Sequence, residues 1–388
     1  MDFSLTDEQK MLKESAERFI ERDYTFAARR ELAAGELGFG RENWARFAEL
    51  GWLAVALPEA HGGLGGSLLD VAVLMEAFGR GLVVEPYVPS VVLGGGLVAL
   101  AGAEAQKDAL LPPLAEGRLM LALAHGEPQS RFNLADVETT AKETTSGDGG
   151  YVLDGHKCVV LNAAAADRIV VSARTSGAAR QPDGITLFLV DRQADGVVLR
   201  PYATQDGRRA AEVGLVGVRV GSGDVLGAVG GGLPLVERVV DDAIVAVAAE
   251  AVGAMEALIA ATREYLKTRQ QFGVPIGDFQ VLQHRVVDMF MACELSRALT
   301  YRAAASPADG GARARGRAAS ALKVRIGEAG KLVGQQAVQL HGAMGMTDEL
   351  DVGHYFKRLT MIGALFGDAG HHLERFVALG GAATGQGP

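Results

Sequence analysis

The sequence predicts a mainly helical α+β fold in three successive segments. These are an N-terminal α-helical domain over residues 1–116, a central β-sandwich or barrel domain over 117–228 and a C-terminal helical bundle domain over 229–388. Three observations carry that prediction. In the first segment apolar residues recur at helical spacing. In the second, short β-prone runs are separated by Gly, Asp, Asn and Pro. In the third, three long amphipathic stripes follow one another.

The N-terminal segment opens on a start signal: Thr6 and Gln9 have the spacing of a capping box, in which each side chain satisfies a free backbone donor. Leu12, Ala16, Phe19 and Ile20 then repeat along one helical face. Further helices are expected at 41–50, 68–78 and 104–111, with a glycine-rich loop, PEAHGGLGG, at 58–66. Strands are expected at 151–153, 158–161, 168–173, 186–190 and 197–200, paired antiparallel. The C-terminal stripes are Val252, Met255, Ile259, Thr262 and Leu266; then Leu282, Val286, Met289, Phe290 and Cys293; then Leu322, Ile326, Ala329, Val333, Ala337 and Leu340. All three, methionines included, read as core. The Gly/Ala/Arg stretch at 306–318 reads as an exposed connection carrying Arg313, Arg315 and Arg317.

Of the 388 residues, 48% are hydrophobic and 22% charged, a globular composition with ample material for cores. The net charge of -9 argues against nucleic acid as a partner, because no basic face is implied for phosphates. Cys158 and Cys293 form neither a disulfide framework nor a CxxC metal pair, so no metal is expected. The first residues are charged from Asp2 onward, unlike a signal peptide. The apolar region 82–102 is broken by Glu85, Pro86 and Pro89 and falls short of a membrane span. A cytoplasmic protein is the expectation.

Four strings then stand in order along the chain: MDFSLTDEQKML, PEAHGGLGGS, YLKTRQQFGVPIGDFQ and QLHGAMG. Each is weak alone; in this order and spacing they resemble the landmarks of the acyl-CoA dehydrogenase superfamily. The resemblance implies a four-helix C-terminal bundle, an acyl-CoA substrate, FAD at a subunit interface in a homo- or hetero-oligomer, and an electron-transferring flavoprotein as acceptor. It assigns Arg269, Phe272 and Gln280 to contacts with FAD of a neighbouring subunit, and Gln339 and Gly342 to the approach to its diphosphate and adenosine portion. Arginine suits phosphate because its planar, permanently charged fork pairs with two oxygens. Glycine suits close backbone approach because it has no side chain.

The family reaction desaturates an acyl-CoA: a carboxylate removes an α proton while hydride leaves the β carbon for the flavin. In many members the base is a Glu in a Tyr-Glu-Gly string. The matching string here is Leu365-Phe366-Gly367-Asp368, with no glutamate. A second subgroup places its Glu near Ala243, beside Asp241 and Asp242, and again none is present. Three readings stay open: Asp368 is the base, a partner chain supplies it, or the site uses reduced flavin or acyl-CoA in another way, as in monooxygenation or desulfination. Asp368 also suits the N-cap of a helix through HHLERF, while adjacent His371 and His372 point apart and make a poor metal pair.

The family's Thr-Glu-Pro and Trp-Ile-Thr-Asn strings become Gly126-Glu127-Pro128 and Val159-Val160-Leu161-Asn162, losing the hydroxyls that meet the flavin ring. Arg131, just beyond, is a candidate extra cation for flavin or CoA phosphates. These departures resemble the smaller subunits of bacterial dehydrogenases for bulky or dicarboxylic acyl-CoAs, which pair with a related chain. A non-catalytic partner subunit and a flavin-dependent monooxygenase of the same fold are the alternatives.

Overall fold

The computed structural model describes residues 5–144, 149–306 and 311–380. Its helices are α1 (Asp7–Asp23), α2 (Phe26–Ala34), α3 (Arg41–Glu49), α4 (Leu68–Arg80), α5 (Gly96–Ala101), α6 (Glu104–Ala115), α7 (Gly232–Thr268), α8 (Gln280–Ala304), α9 (Gly311–His341), α10 (Asp351–Ala364) and α11 (Ala369–Gly380). Its strands are β1 (Leu121–Ala124), β2 (Thr140–Glu143), β3 (Tyr151–Leu161), β4 (Arg168–Arg174), β5 (Ile185–Asp191), β6 (Val197–Ala203), β7 (Arg209–Val220), β8 (Val225–Leu226), β9 (Gln270–Gln271) and β10 (Val274–Pro275). The chain packs as two compact units. One is Met1–Glu31, Leu68–Val83 and Ile244–Pro388; the other is Leu32–Ser67 and Val84–Ala243.

The helical unit starts where the sequence signals it. Thr6 Oγ1 accepts from the Gln9 N–H at 3.2 Å and the Thr6 N–H reaches Gln9 Oε1 at 3.1 Å, closing the capping box of α1. Residues 1–4 of the first landmark lie outside the described residues. α4 crosses α7 at two glycines: a Cβ on Gly253 would sit 1.8 Å from the Glu76 carbonyl oxygen, and one on Gly79 1.9 Å from that of Glu250. Only backbones without side chains approach this closely. α9 is the hub on which α8, α10 and α11 pack, and its expected stripe, Leu322 through Leu340, is buried throughout.

α7 is long and apolar enough by composition to cross a membrane, but 78% of its most apolar stretch is buried within the protein. Its hydrophobicity serves packing. Its neighbour α10 returns a charge to it: Arg358 grips Glu250 in a two-pronged pair, Nε to Oε1 at 2.7 Å and Nη2 to Oε2 at 2.6 Å, both residues buried.

Two expectations for this unit are corrected. The stretch 306–318 is not an exposed connection from Gly311 onward but the start of α9; residues 307–310 lie outside the described residues. Alanine and arginine are good helix formers, and α11 holds them there: Arg313 Nε donates to the Leu379 carbonyl at 2.6 Å and Arg317 lies over the Phe376 ring at 4.4 Å. In the second stripe Met289 and Cys293 are buried, but Phe290 is 55% exposed. It joins Val287, Met291 and Leu295 on an uncovered apolar face of α8.

The second unit holds one eight-stranded sheet in the order β6-β7-β3-β2-β4-β5-β8, with β1 beside β4. Pairing is antiparallel as expected for β3–β7, β6–β7 and β4–β5, whereas β1 runs parallel to β4. The two runs read as 151–153 and 158–161 are a single strand, β3, whose register against β7 slips between Leu153 and Gly155 and again between Lys157 and Val160. Such bulges bend a strand and re-aim its side chains. The sheet curls around a core that includes Leu153, Val171, Phe188, Val213 and Val218, and the rings of Tyr151 and Phe188 meet at 5.1 Å. The apolar region before the sheet is a buried π-helical turn, Val88–Gly95, running into α5.

Replacing one member of a buried ion pair leaves the other charged and unpaired, a loss of about 3–5 kcal/mol, whereas replacing both is much milder. Arg358→Leu is therefore expected to lower the urea midpoint strongly, and Glu250→Leu/Arg358→Leu to recover most of the loss. Equal losses in the single and double variants would show that the pair does not carry this packing.

Candidate functional site

In the helical unit, the string after α7 folds into a tight hairpin. β9 and β10 pair antiparallel, Gln271 opposite Val274, so Phe272 and Gly273 form a two-residue turn. Both have positive φ, 55° and 83°. That turn normally takes Asn-Gly, and a phenylalanine in its first place is strained. Phe272 is 90% exposed, its ring edge-on to Phe279 at 6.1 Å. The Arg269 backbone is fixed from both sides: its N–H reaches the Tyr265 carbonyl and its carbonyl accepts from Ile276, each at 2.8 Å. Its guanidinium is exposed and makes no hydrogen bond or ion pair among the described residues. Gln280 opens α8 and is also exposed.

The end of α9 meets the end of α7, just before this hairpin, through a stacked pair. His341 lies on Tyr265, ring centroids 4.5 Å apart, with its Nδ1 bonded to the Ala337 carbonyl at 2.8 Å. Next to it Gln339 is exposed, and Gly342 turns the chain at φ 62° with nothing within 4 Å of where a Cβ would stand. The structure thus brings together Arg269, Gln339 and Gly342 around the ends of α7 and α9. An exposed guanidinium and amide can donate to phosphate oxygens, and an open glycine turn admits close backbone approach.

Asp368 caps α11. Its Oδ1 accepts from the His371 N–H at 2.9 Å, its carbonyl from the His372 N–H at 3.0 Å, and the residue is exposed. The two histidine rings meet edge to face at 5.0 Å. Among the described residues no group of three His, Cys, Asp or Glu is placed to hold a metal ion.

In the sheet unit the two altered strings lie side by side, the Cys158 N–H bonding the Gly126 carbonyl at 2.8 Å. Val159 stands at φ 52° on the second bulge of β3 and is 49% exposed; a β-branched residue there is a genuine outlier. Asn162, at φ 59°, is buried with its Nδ2 lacking a hydrogen-bond partner among the described residues. Such an orphaned donor calls for a further acceptor. Arg131 sits at φ 47° on the loop after Pro128, exposed, with no ion pair among the described residues.

What the sequence did not reveal is how these strings are held. Lys157, fully buried, donates to Glu127 Oε1 at 2.7 Å, Ser172 Oγ at 3.0 Å and the His125 carbonyl at 3.2 Å. Glu127 also takes the N–H groups of Glu138 and Thr139. Burial alone would raise the Glu127 carboxyl, but the Lys157 ammonium and the surrounding donors override it and bring it down to about 2. Burial likewise draws Lys157 down to about 8 against the opposing pull of Glu127. Farther along, the Arg174 guanidinium is caged by carbonyls of both flanking loops, among them Ala135, Val137, Ala179 and Asp183. A lysine at an inward position of β3 is the one sequence signal that could have pointed to the pair.

Comparison with known proteins agrees with this architecture. Residues 6–118, 122–218 and 230–376 match the N-terminal, middle and C-terminal domain models of acyl-CoA dehydrogenases. The chain is similar to the probable acyl-CoA dehydrogenase YngJ of Bacillus subtilis (strain 168), 31% identical and covering 91% of this chain and 92% of that protein. Among solved structures it resembles a variant of the Tcur3481–Tcur3483 steroid ACAD, with 31% identity, TM-score 0.87 and coverage of 97% and 99% of the two chains. It also resembles the ChsE4–ChsE5 complex from Mycobacterium tuberculosis, with 26% identity, TM-score 0.88 and complete coverage, 100%, of both chains. The chain belongs to the acyl-CoA dehydrogenase family. It is an oxidoreductase of a family whose members are FAD flavoproteins.

Because the folded Glu127 value lies below the ordinary 4.5, its contribution to stability is complete above pH 4.5 and is lost as pH falls toward about 2. Glu127→Gln is expected to be less stable at neutral pH and to show a flatter fall in urea midpoint across that window. Parallel acid profiles for the two proteins would remove Glu127 from the account.

Proposed function

We propose that this chain is one subunit of a cytoplasmic FAD-dependent acyl-CoA dehydrogenase that pairs with a related chain and acts on a bulky acyl-CoA thioester. The Arg269–Phe272 hairpin is the observation that carries this reading. An exposed phenylalanine on a strained turn, beside a guanidinium with no ion pair among the described residues, is costly to maintain in a lone chain. It makes sense as a finger that reaches a neighbour. The uncovered apolar face of α8, with Val287, Phe290, Met291 and Leu295, supports an oligomer from the same unit. The likeness to the Tcur3481–Tcur3483 steroid ACAD and to the ChsE4–ChsE5 complex supports a two-chain assembly and a large acyl group.

FAD, when bound, would supply the acceptor for the hydride equivalent leaving the β carbon. Arg269 would pair with its phosphate oxygens, Phe272 would offer an aromatic face and Gln280 an amide. Gln339 and Gly342 would admit the diphosphate backbone-close. An FAD held by this chain itself would be a separate copy: within the sheet unit its ring would meet backbone groups near Gly126 and Leu161 in place of hydroxyls, with Arg131 as an added cation for phosphate. An electron-transferring flavoprotein is the proposed acceptor.

The α proton must go to a carboxylate, and two sources compete. Asp368 is engaged as a helix cap and exposed, which favours a base on the partner chain; a base gains strength from an apolar pocket. Asp368→Asn separates the two, because asparagine caps as well as aspartate but cannot accept the proton. Near-normal turnover by that variant in the assembled enzyme is expected. A loss on the order of 10²–10⁴-fold would instead make Asp368 the base.

Purified alone, the chain is expected to retain little flavin absorbance, and to gain it when co-purified with the related chain. A yellow, stoichiometrically loaded homo-oligomer would replace the two-chain reading with a self-sufficient enzyme. Arg269→Ala should weaken FAD retention by the assembly roughly 10- to 100-fold, the scale of one charged hydrogen bond. Unchanged flavin content in that variant would take Arg269 out of the cofactor site.

A further inference from the structure

In the helical unit, α4 ends on a residue that its position does not suit. The Val83 N–H reaches back to the Phe78 carbonyl at 3.1 Å and the Leu82 N–H to that of Gly79 at 3.2 Å. These paired bonds close a helix through one left-handed residue, which is ordinarily glycine. Here that residue is Leu82, buried and at φ 50°. A side chain on such a backbone persists only where its surroundings hold it. Two neighbours hold this turn. The Tyr355 hydroxyl of α10 donates to the Arg80 carbonyl, and Arg29 Nε of α2 reaches the Leu82 carbonyl at 3.4 Å.

Arg29 is itself buried, and its other contact fixes a protonation state. Its Nη1 lies 3.0 Å from His354 Nδ1. A guanidinium only donates, so Nδ1 must accept and the ring proton sits on Nε2, which meets the Asp348 carbonyl at 3.2 Å. A protonated His354 would have no lone pair left at Nδ1 and would set a second cation against Arg29. The charged groups around the ring divide. Arg29 from α2 and Lys357 on α10 oppose its protonation, whereas Asp348 and, on α10, Asp351 favour it. The Asp348 carboxylate lies 3.3 Å from Nε2, but its side chain is 66% exposed and is shared with Lys357 and Arg30. Water therefore screens Asp348 far more than it screens Arg29. The Phe26 ring adds an apolar edge at 5.0 Å. Burial first, with Arg29 and Lys357 behind it, holds the imidazole below its ordinary 6.5.

The place of this contact along the chain gives it a consequence. The chain passes between its two units at four points, after Glu31, Ser67, Val83 and Ala243. Arg29 stands just before the first of these and Leu82 just before the third, so one buried side chain ties the approaches to both. We propose that Arg29, Leu82 and His354 form an acid-sensitive latch: a neutral His354 holds α2 and the end of α4 on α10, and its protonation releases them. Because the folded ring titrates below 6.5, the latch is complete above that pH and is lost as the pH falls through the lower, folded value. Strain at Leu82 then favours opening. Neither flavin nor substrate enters this device, which stands apart from the dehydrogenase reading.

The test is amide exchange on the full chain between about pH 7.5 and 5.5, with each rate corrected for the intrinsic effect of pH. Corrected exchange at residues 26–31 and 79–83 is expected to rise about tenfold as the pH falls, while α9 stays level. His354→Gln offers Arg29 an amide oxygen that does not titrate, and is expected to abolish the rise. Asp348→Asn leaves the latch atoms in place but removes a charge that favours protonation, so the rise is expected at lower pH. Should His354→Gln not fold, Asp348→Asn carries the test, together with the nitrogen chemical shifts of His354, whose Nδ1 is expected to be bare at neutral pH. Wild-type exchange at these segments that is flat with pH overturns the latch. So does a rise in His354→Gln equal to that of the wild type, an unmoved rise in Asp348→Asn, or a proton on Nδ1.

Discussion

The buried contact between Lys157 and Glu127 is the fixed point of the sheet unit. A lone ammonium or carboxylate in that core would be prohibitive, so each residue demands the other, and the demand is met across 30 positions of sequence. Once they meet, much follows. Glu127 receives the N–H groups of Glu138 and Thr139, which returns the chain into β2. Lys157 immediately precedes the bulge that turns Val159 outward, and Cys158 is tied to Gly126. Two strings that look unrelated in sequence become adjacent because one ion pair lies beneath both.

Strain is distributed unevenly. The described non-glycine residues with positive φ are Leu82, Arg131, Val159, Asn162, Phe272 and Phe366. All but Leu82 fall in segments that the cofactor or substrate reading already singles out. Such conformations persist only where surroundings over-determine them. Here the over-determining groups can be named: Lys157 and Glu127 beneath Val159, the two-residue turn at Phe272, and, at Phe366, Lys323 and His372 bonded to the Gly367 and Phe366 carbonyls. The helical crossings elsewhere use glycine where backbones touch, as at Gly79 and Gly253, and carry no such cost.

Much of this was legible in the sequence. Helical stripes and the capping box at Thr6 and Gln9 are local, periodic signals, and the ordered strings sufficed for the family; the candidate residues at the ends of α7 and α9 come from the same strings and stand as proposals. The short strands β1 and β2 were missed because runs of four residues carry little period. The long strand β7 was missed because two alanines and two glycines dilute its β-branched pattern. The first turns of α9 were misread because alanine, glycine and arginine describe a linker as well as a helix, until α11 supplies contacts. Phe290 was assigned to the core because periodicity marks an apolar face without saying which surface covers it. The pairings of Lys157 and Lys323 were invisible for a deeper reason: a buried charge declares itself only when its distant partners are known.

The bare face of α8 and the projecting ring of Phe272 also bear on how the cell must handle this polypeptide. A newly made copy that has not met its neighbour displays sticky surface of the sort that chaperones hold and proteases clear. On the proposed two-chain assembly, synthesis in step with the neighbouring chain would shield this surface, and an orphan copy would be open to removal. The same surface that would complete an active site thereby acts as a quality-control tag, erased only by correct assembly.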